Sequence, residues 1–123
     1  MKLIKADTNN WIHADGYRKN ILMTGDQIGA KGNLAQIVVV EAGSRVKPHY
    51  HKRTSELIYI TEGSCLFTVN DSTFPLKPGD LLLTEPGDIH SLVNDGQTAW
   101  RALVFKVNAV ANDSFWLEKT ESS

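Results

Sequence analysis

Apolar and polar residues alternate along most of this chain in short runs, separated by clusters of turn formers. The clearest run is Leu34 to Glu41, LAQIVVVE. It is short, apolar and β-branched, which predicts a strand. With Glu41 facing water, Ala35, Ile37 and Val39 share its face, and Leu34, Gln36, Val38 and Val40 point inward. Gln36 then sits among apolar neighbours, where its amide either satisfies a backbone group or lines a pocket. Glu56 opens another run in which Ile58 and Ile60 take its face, so Tyr59 points the other way and is read as packing rather than chemistry. Cys65 to Val69 and Thr73 to Leu76 flank Asn70-Asp71-Ser72 and predict a hairpin, with Cys65 a small core residue. Leu81 to Thr84, Ile89 to Val93 and Thr98 to Val107 complete the strands, with Pro86-Gly87-Asp88 and Asn94-Asp95-Gly96 as turns between them.

Upstream, Tyr17 to Met23 predicts a strand and Gly25 to Asn33 a loop. Trp11 to Gly16 reads as loop, carrying a surface histidine, His13, and Leu3-Ile4 as a short edge strand. Downstream, Phe115-Trp116-Leu117 would be costly to expose and is expected to pack on the barrel or on a partner subunit, ahead of a frayed end over Glu118 to Ser123. Frequent short strands, no amphipathic helix and no internal repeat predict an all-β sandwich or barrel. We expect one domain over residues 1–123, with a barrel core of about 17–107 and a tail over 108–123.

Composition narrows the partners more than the chemistry. The formal net charge is −1 and there is no basic run, which argues against nucleic acid. No apolar stretch is long enough for a membrane span or a signal peptide. The single cysteine, Cys65, permits no intrachain disulfide and suits a reducing compartment, so a soluble cytoplasmic protein is expected.

The candidate chemistry lies in Gly43 to Gly63, GSRVKPHYHKRTSELIYITEG. His49 and His51 are two apart and project from one face of a strand. Lys52 to Ser55 reads as a turn, after which Glu56 can fold back beside them. His90, after the Pro86-Gly87-Asp88 turn, is a further ligand candidate. Such mixed N and O donors suit a divalent transition metal: iron, manganese, nickel or zinc.

These residues resemble a known pattern. Gly43, His49-x-His51, Glu56 and Gly63 match the spacing of the first cupin motif, and Gly79, Pro86-Gly87, His90 and Asn94 are similar to the second. In one departure, Glu85 stands where the family usually places proline, with Pro86 next to it. The resemblance implies a double-stranded β-helix, or jelly-roll barrel, with His49, His51, Glu56 and His90 on a metal. It also implies a small-molecule ligand or substrate in the barrel and a homodimer.

Four protein ligands leave open positions on the ion, which suits catalysis or ligand capture. The expectation is a small-molecule enzyme, of dioxygenase, isomerase or lyase type, using the metal as Lewis acid or O₂-activating centre. A non-catalytic sugar-binding or small-molecule-sensing cupin is the alternative. Gln36 and Glu85 are the secondary catalytic candidates, and Lys47, Arg53 and Arg101 are candidates for the pocket mouth.

Overall fold

A computed structural model describes residues 1–6 and 10–118. The described residues form eleven strands and a one-turn helix. In chain order the strands are β1 (Trp11–His13), β2 (Arg18–Thr24), β3 (Leu34–Val40), β4 (Arg45–Tyr50), β5 (Ser55–Glu62) and β6 (Cys65–Val69). They continue as β7 (Ser72–Leu76), β8 (Leu81–Thr84), β9 (His90–Val93), β10 (Trp100–Val107) and β11 (Phe115–Trp116). Two antiparallel sheets result, in the orders β1-β2-β3-β10-β5-β8 and β11-β4-β9-β6-β7. This is the double-stranded β-helix that the resemblance implies.

Alternation decides what each sheet buries. Val40, Ile58, Ile60, Phe67, Leu92, Trp100, Ala102 and Val104 form the core between the sheets. Each large aliphatic or aromatic side chain buried there contributes about 1.5–3 kcal/mol. One end of the interior stays open and polar, and the site lies there. The second-motif Asn94, fully buried, knots the closed end. Its side-chain amide donates to the carbonyls of Val40 and Thr98, its Oδ1 accepts from Gly96, and its main chain pairs with Gly43 and Ser44. Gly63, at φ +72, turns β5 into β6 where a Cβ would stand 2.3 Å from the Ala99 carbonyl oxygen. No other residue fits that turn without moving the start of β10.

Three expectations need correction. Trp11 to His13 is a strand, not a loop: it pairs with β2, and the Trp11 ring lies 4.8 Å from the Arg18 guanidinium and 5.9 Å from that of Arg101. Val39, cross-paired with both arginines, is outward-facing as expected yet 2% exposed, because that cluster covers it. Leu3 and Ile4 form no strand and are exposed. The Gly25–Asn33 segment holds a helix, α1 (Gly25–Ile28), nucleated by a reciprocal capping box between Thr24 and Gln27. The expected frayed end falls mostly outside the described residues, and Glu118, which is described, pairs with Arg45 at 3.1 Å.

Candidate metal centre

His49 near the end of β4 and His90 at the start of β9 are directly cross-paired, which puts their rings 4.2 Å apart on the inner face. His51 follows β4 by one residue, and the turn after it brings Glu56 back at the start of β5. The two motifs are tied through the backbone, since Gly87 N–H donates to the His51 carbonyl at 2.8 Å. Glu85, the departure from the family pattern, leaves this turn intact: its N–H donates to Asp88 Oδ2, and its carbonyl accepts from Asp88 N–H.

Each imidazole is anchored at Nδ1 by a main-chain carbonyl. His49 uses Lys47 at 2.9 Å, His51 uses Asp113 at 2.7 Å, and His90 uses Asp88 at 3.0 Å. A carbonyl only accepts, so each Nδ1 carries a proton and each Nε2 is free to face inward. One ligand atom from each of the three rings lies within 4.8 Å of the other two. Three nitrogens with a fixed tautomer, each oriented by an outer hydrogen bond, fit a first-row transition ion bound at about 2.0–2.1 Å. Glu56 lies outside that closest group. Its Oε1 is 2.9 Å from His51 Nε2 and 3.3 Å from His90 Nε2, so the carboxylate faces the same point as those two rings.

The electrostatics follow from burial and this pairing. Burial, with His90 adjacent, lowers the His49 pKa to about 4, so its ring is neutral and ready to ligate. Burial also opposes charge on His51, but the Glu56 carboxylate and the Asp113 carbonyl outweigh it and hold the pKa above the usual 6.5. For Glu56, the hydrogen bonds from His51 and His90 and the nearby Lys106 overcome burial and keep the carboxyl well below its ordinary range.

The roof comes from the C-terminal segment. β11 pairs with β4, aligning Trp116 with His49, and the Trp116 ring stacks on the His49 ring at 4.4 Å. Phe115 stacks on Tyr50, and the Lys52 ammonium lies over the Phe115 ring at 4.5 Å from its centroid. The Asp113 carboxylate accepts from the N–H groups of Lys52, Arg53 and Thr54 and from the Thr54 hydroxyl, fixing the turn between His51 and Glu56. The tail aromatics therefore pack on the barrel, as one of the two expectations had it.

A cavity with about 100 Å³ of room opens beside the histidines. Gln36 lines it, and its buried Oε1 has no partner among the described residues. Leaving that oxygen unsatisfied costs about 1–3 kcal/mol, and it faces the cavity lining rather than a backbone donor. Trp100, whose Nε1 also has no hydrogen-bond partner, lies at the wall. The other secondary candidates lie elsewhere. Glu85 and Arg53 are exposed, on turns, and neither lines the cavity. Arg101 stands on the outer face beside Trp11, and Lys47 is buried in an ion pair with Asp15. The cations that line the cavity are Lys19 and Lys106, with Tyr17 beside them. Sequence reading passed over them, although Trp100, Ala102, Val104 and Lys106 share one parity and the inward face could have been counted forward to the lysine. Burial, then the negative Glu56, raises the Tyr17 pKa, so its hydroxyl keeps its proton and is able to donate.

Residues 34–122 match the family of AraC-like ligand-binding domains, and the chain belongs to that family. Among its relatives, SchB of Streptomyces halstedii is 32% identical over 90 residues, covering 73% of this chain and 64% of SchB. The oxalate-binding protein of Thermotoga maritima is 32% identical over 77 residues, 63% of this chain and 64% of that protein. The chain thus spans just under two thirds of the length of each. The crystal structure of a predicted oxalate decarboxylase from Thermotoga maritima superposes with a TM-score of 0.78 at 23% identity, covering 86% of this chain and 98% of that one, which shows a shared fold.

Proposed function

We propose that this protein is a metal-dependent cupin that binds and transforms a small polar molecule inside the barrel. His49, His51 and His90 hold a divalent transition ion, with Glu56 as a fourth, oxygen ligand. One observation carries the reading: three imidazoles locked in the same tautomer by three separate carbonyls, with their remaining nitrogens converging. A core that only needed packing has no use for that arrangement. When bound, the ion supplies a Lewis acid, or a site for O₂ if it is iron. Around it the chain's own groups bind and orient. The Tyr17 hydroxyl donates a hydrogen bond, the Gln36 Oε1 meets a donor on the ligand, and the Trp116 ring over His49 limits water.

The test is metal content by mass spectrometry on untagged protein, wild type beside His49→Ala/His51→Ala. Stoichiometric metal in wild type and none in the variant is expected. No metal in either, even after reconstitution, would sink the reading. The match to a family of ligand-binding domains favours a second reading, in which the molecule is held without turnover. Ligand binding with no product under any metal would select it.

We also propose a homodimer through the outer face of the first sheet. Leu81 and Leu83 on the edge strand β8, Tyr59 on β5 and Leu103 on β10 are large, exposed and adjacent there. Light scattering at micromolar concentration should give twice the chain mass, and Leu83→Lys should halve it. A monomeric wild type would overturn this. Among the described residues no helix is long and apolar enough to cross a membrane.

A further inference from the structure

Lysine is among the residue types least often turned toward a protein interior, yet two are turned into this cavity. Lys19 on β2 cross-pairs with Val38, and Lys106 on β10 cross-pairs with Glu56 and Leu34, all on the inner face. Both line the same cavity as the three histidines. They are close enough that each ammonium feels the other and the Glu56 carboxylate. Among the described residues, neither has a salt-bridge or hydrogen-bond partner.

The charge balance is one-sided. Glu56 is the sole acid among the lining residues, against two ammonium groups. With neutral imidazoles the cavity holds one positive charge in excess, and a divalent ion adds two more. Such a site draws anions and rejects cations. Its polar lining adds the Gln36 side chain, whose Oε1 has no partner among the described residues, and the Tyr17 hydroxyl. About 100 Å³ of room suits a molecule of a few heavy atoms rather than a sugar phosphate.

We propose that Lys19 and Lys106 form an anion subsite beside the metal centre, and that the ligand is a small organic acid. The lysines hold one carboxylate while a second oxygen reaches the ion. The second clause rests on the metal reading above; the subsite itself does not.

The test is calorimetric titration of untagged protein with malonate and oxalate, with inorganic phosphate as a comparison. Metal-loaded wild type should bind a dicarboxylate, with affinity falling as salt rises. Lys19→Met/Lys106→Met keeps the apolar stems and should retain full metal content, yet bind about tenfold or more weakly. Lys19→Arg/Lys106→Arg should recover most of the loss, which a purely structural role would not predict. Unchanged binding in the methionine variant overturns the proposal, as does phosphate binding that outcompetes both dicarboxylates. If wild type takes up no metal, the metal reading fails on that measurement, and the subsite is judged on metal-free protein. Salt-sensitive malonate binding lost in the methionine variant then supports it; absent or unaffected binding overturns it.

Discussion

On the proposed metal reading, metal and protons compete for the same nitrogens, so thermal stability should depend on pH in opposite senses without and with metal. In the metal-free protein, His51 has a pKa raised above 6.5. Its stabilising contribution is complete below 6.5 and is lost as pH rises through the folded value. Glu56, depressed from 4.5, contributes above that value and loses its contribution as pH falls through the folded one. The metal-free protein should therefore gain most from this cluster between roughly 4.5 and 6.5. Metal must displace the His51 proton, whereas His49, at about 4, has none to lose above pH 5. At least one proton is then released per ion, so affinity rises about tenfold, or about 1.4 kcal/mol, per pH unit below the His51 value. Metal at 100 times its dissociation constant stabilises by about 2.7 kcal/mol, which for a chain of this length raises Tm by about 8–15 °C. Scanning calorimetry at fixed metal, with and without chelator, should show this gap widening from pH 5.5 to 7.5. A gap that is constant, or that narrows with rising pH, would refute the assignment of the displaced proton to His51.

Three further outcomes follow from particular contacts. Gly63→Ala places a Cβ 2.3 Å from a carbonyl oxygen, whereas Gly43→Ala, at a similar φ of +81, meets open space. Urea denaturation should show losses of about 2–4 kcal/mol for the first and about 1–2 kcal/mol for the second, and equal midpoints would mean that the close approach does not matter. Trp116→Ala removes the ring stacked on His49 and should weaken metal binding about two- to tenfold, since such a stack is worth about 0.5–1.5 kcal/mol; competition with a chromophoric chelator would expose an unchanged affinity. Burial, aided by Asp95, pushes the Cys65 thiol up to about 12, so it should stay silent to a thiol reagent at pH 8 until the chain is unfolded. Rapid labelling of folded protein would contradict that burial.

Most strand positions along the chain and the three histidines were legible because their signals are local. His49 and His51 share a face by spacing alone, and the polar Lys52 to Ser55 turn announces that Glu56 folds back. What stayed hidden depends on distant partners. β1 is three residues long, and what holds it beyond its pairing is a tryptophan laid over arginines from two other strands. A local pattern carries no trace of that. Glu85, Arg53 and Arg101 looked suitable by charge and proximity in sequence, but turn geometry and strand parity turn them outward. Lys19 and Lys106 were passed over because a lysine on a strand ordinarily marks the solvent side. Asp113 was missed because a lone aspartate in a tail gives no hint that its carbonyl and its carboxylate each bind the segment from His51 to Thr54.

That last tie has a consequence for the order of events in synthesis. The acceptor for the His51 ring proton lies 62 residues downstream of it, and the ring that covers His49 lies further still. A growing chain emerges N-terminus first, so all four candidate ligands are made before the Asp113 carbonyl can anchor His51 Nδ1 or Trp116 can cover His49. Ion capture in the finished geometry therefore has to wait for Asp113 to Trp116 to dock. A nascent or clipped chain that ends before them would present the same histidines as a loose, exposed chelator.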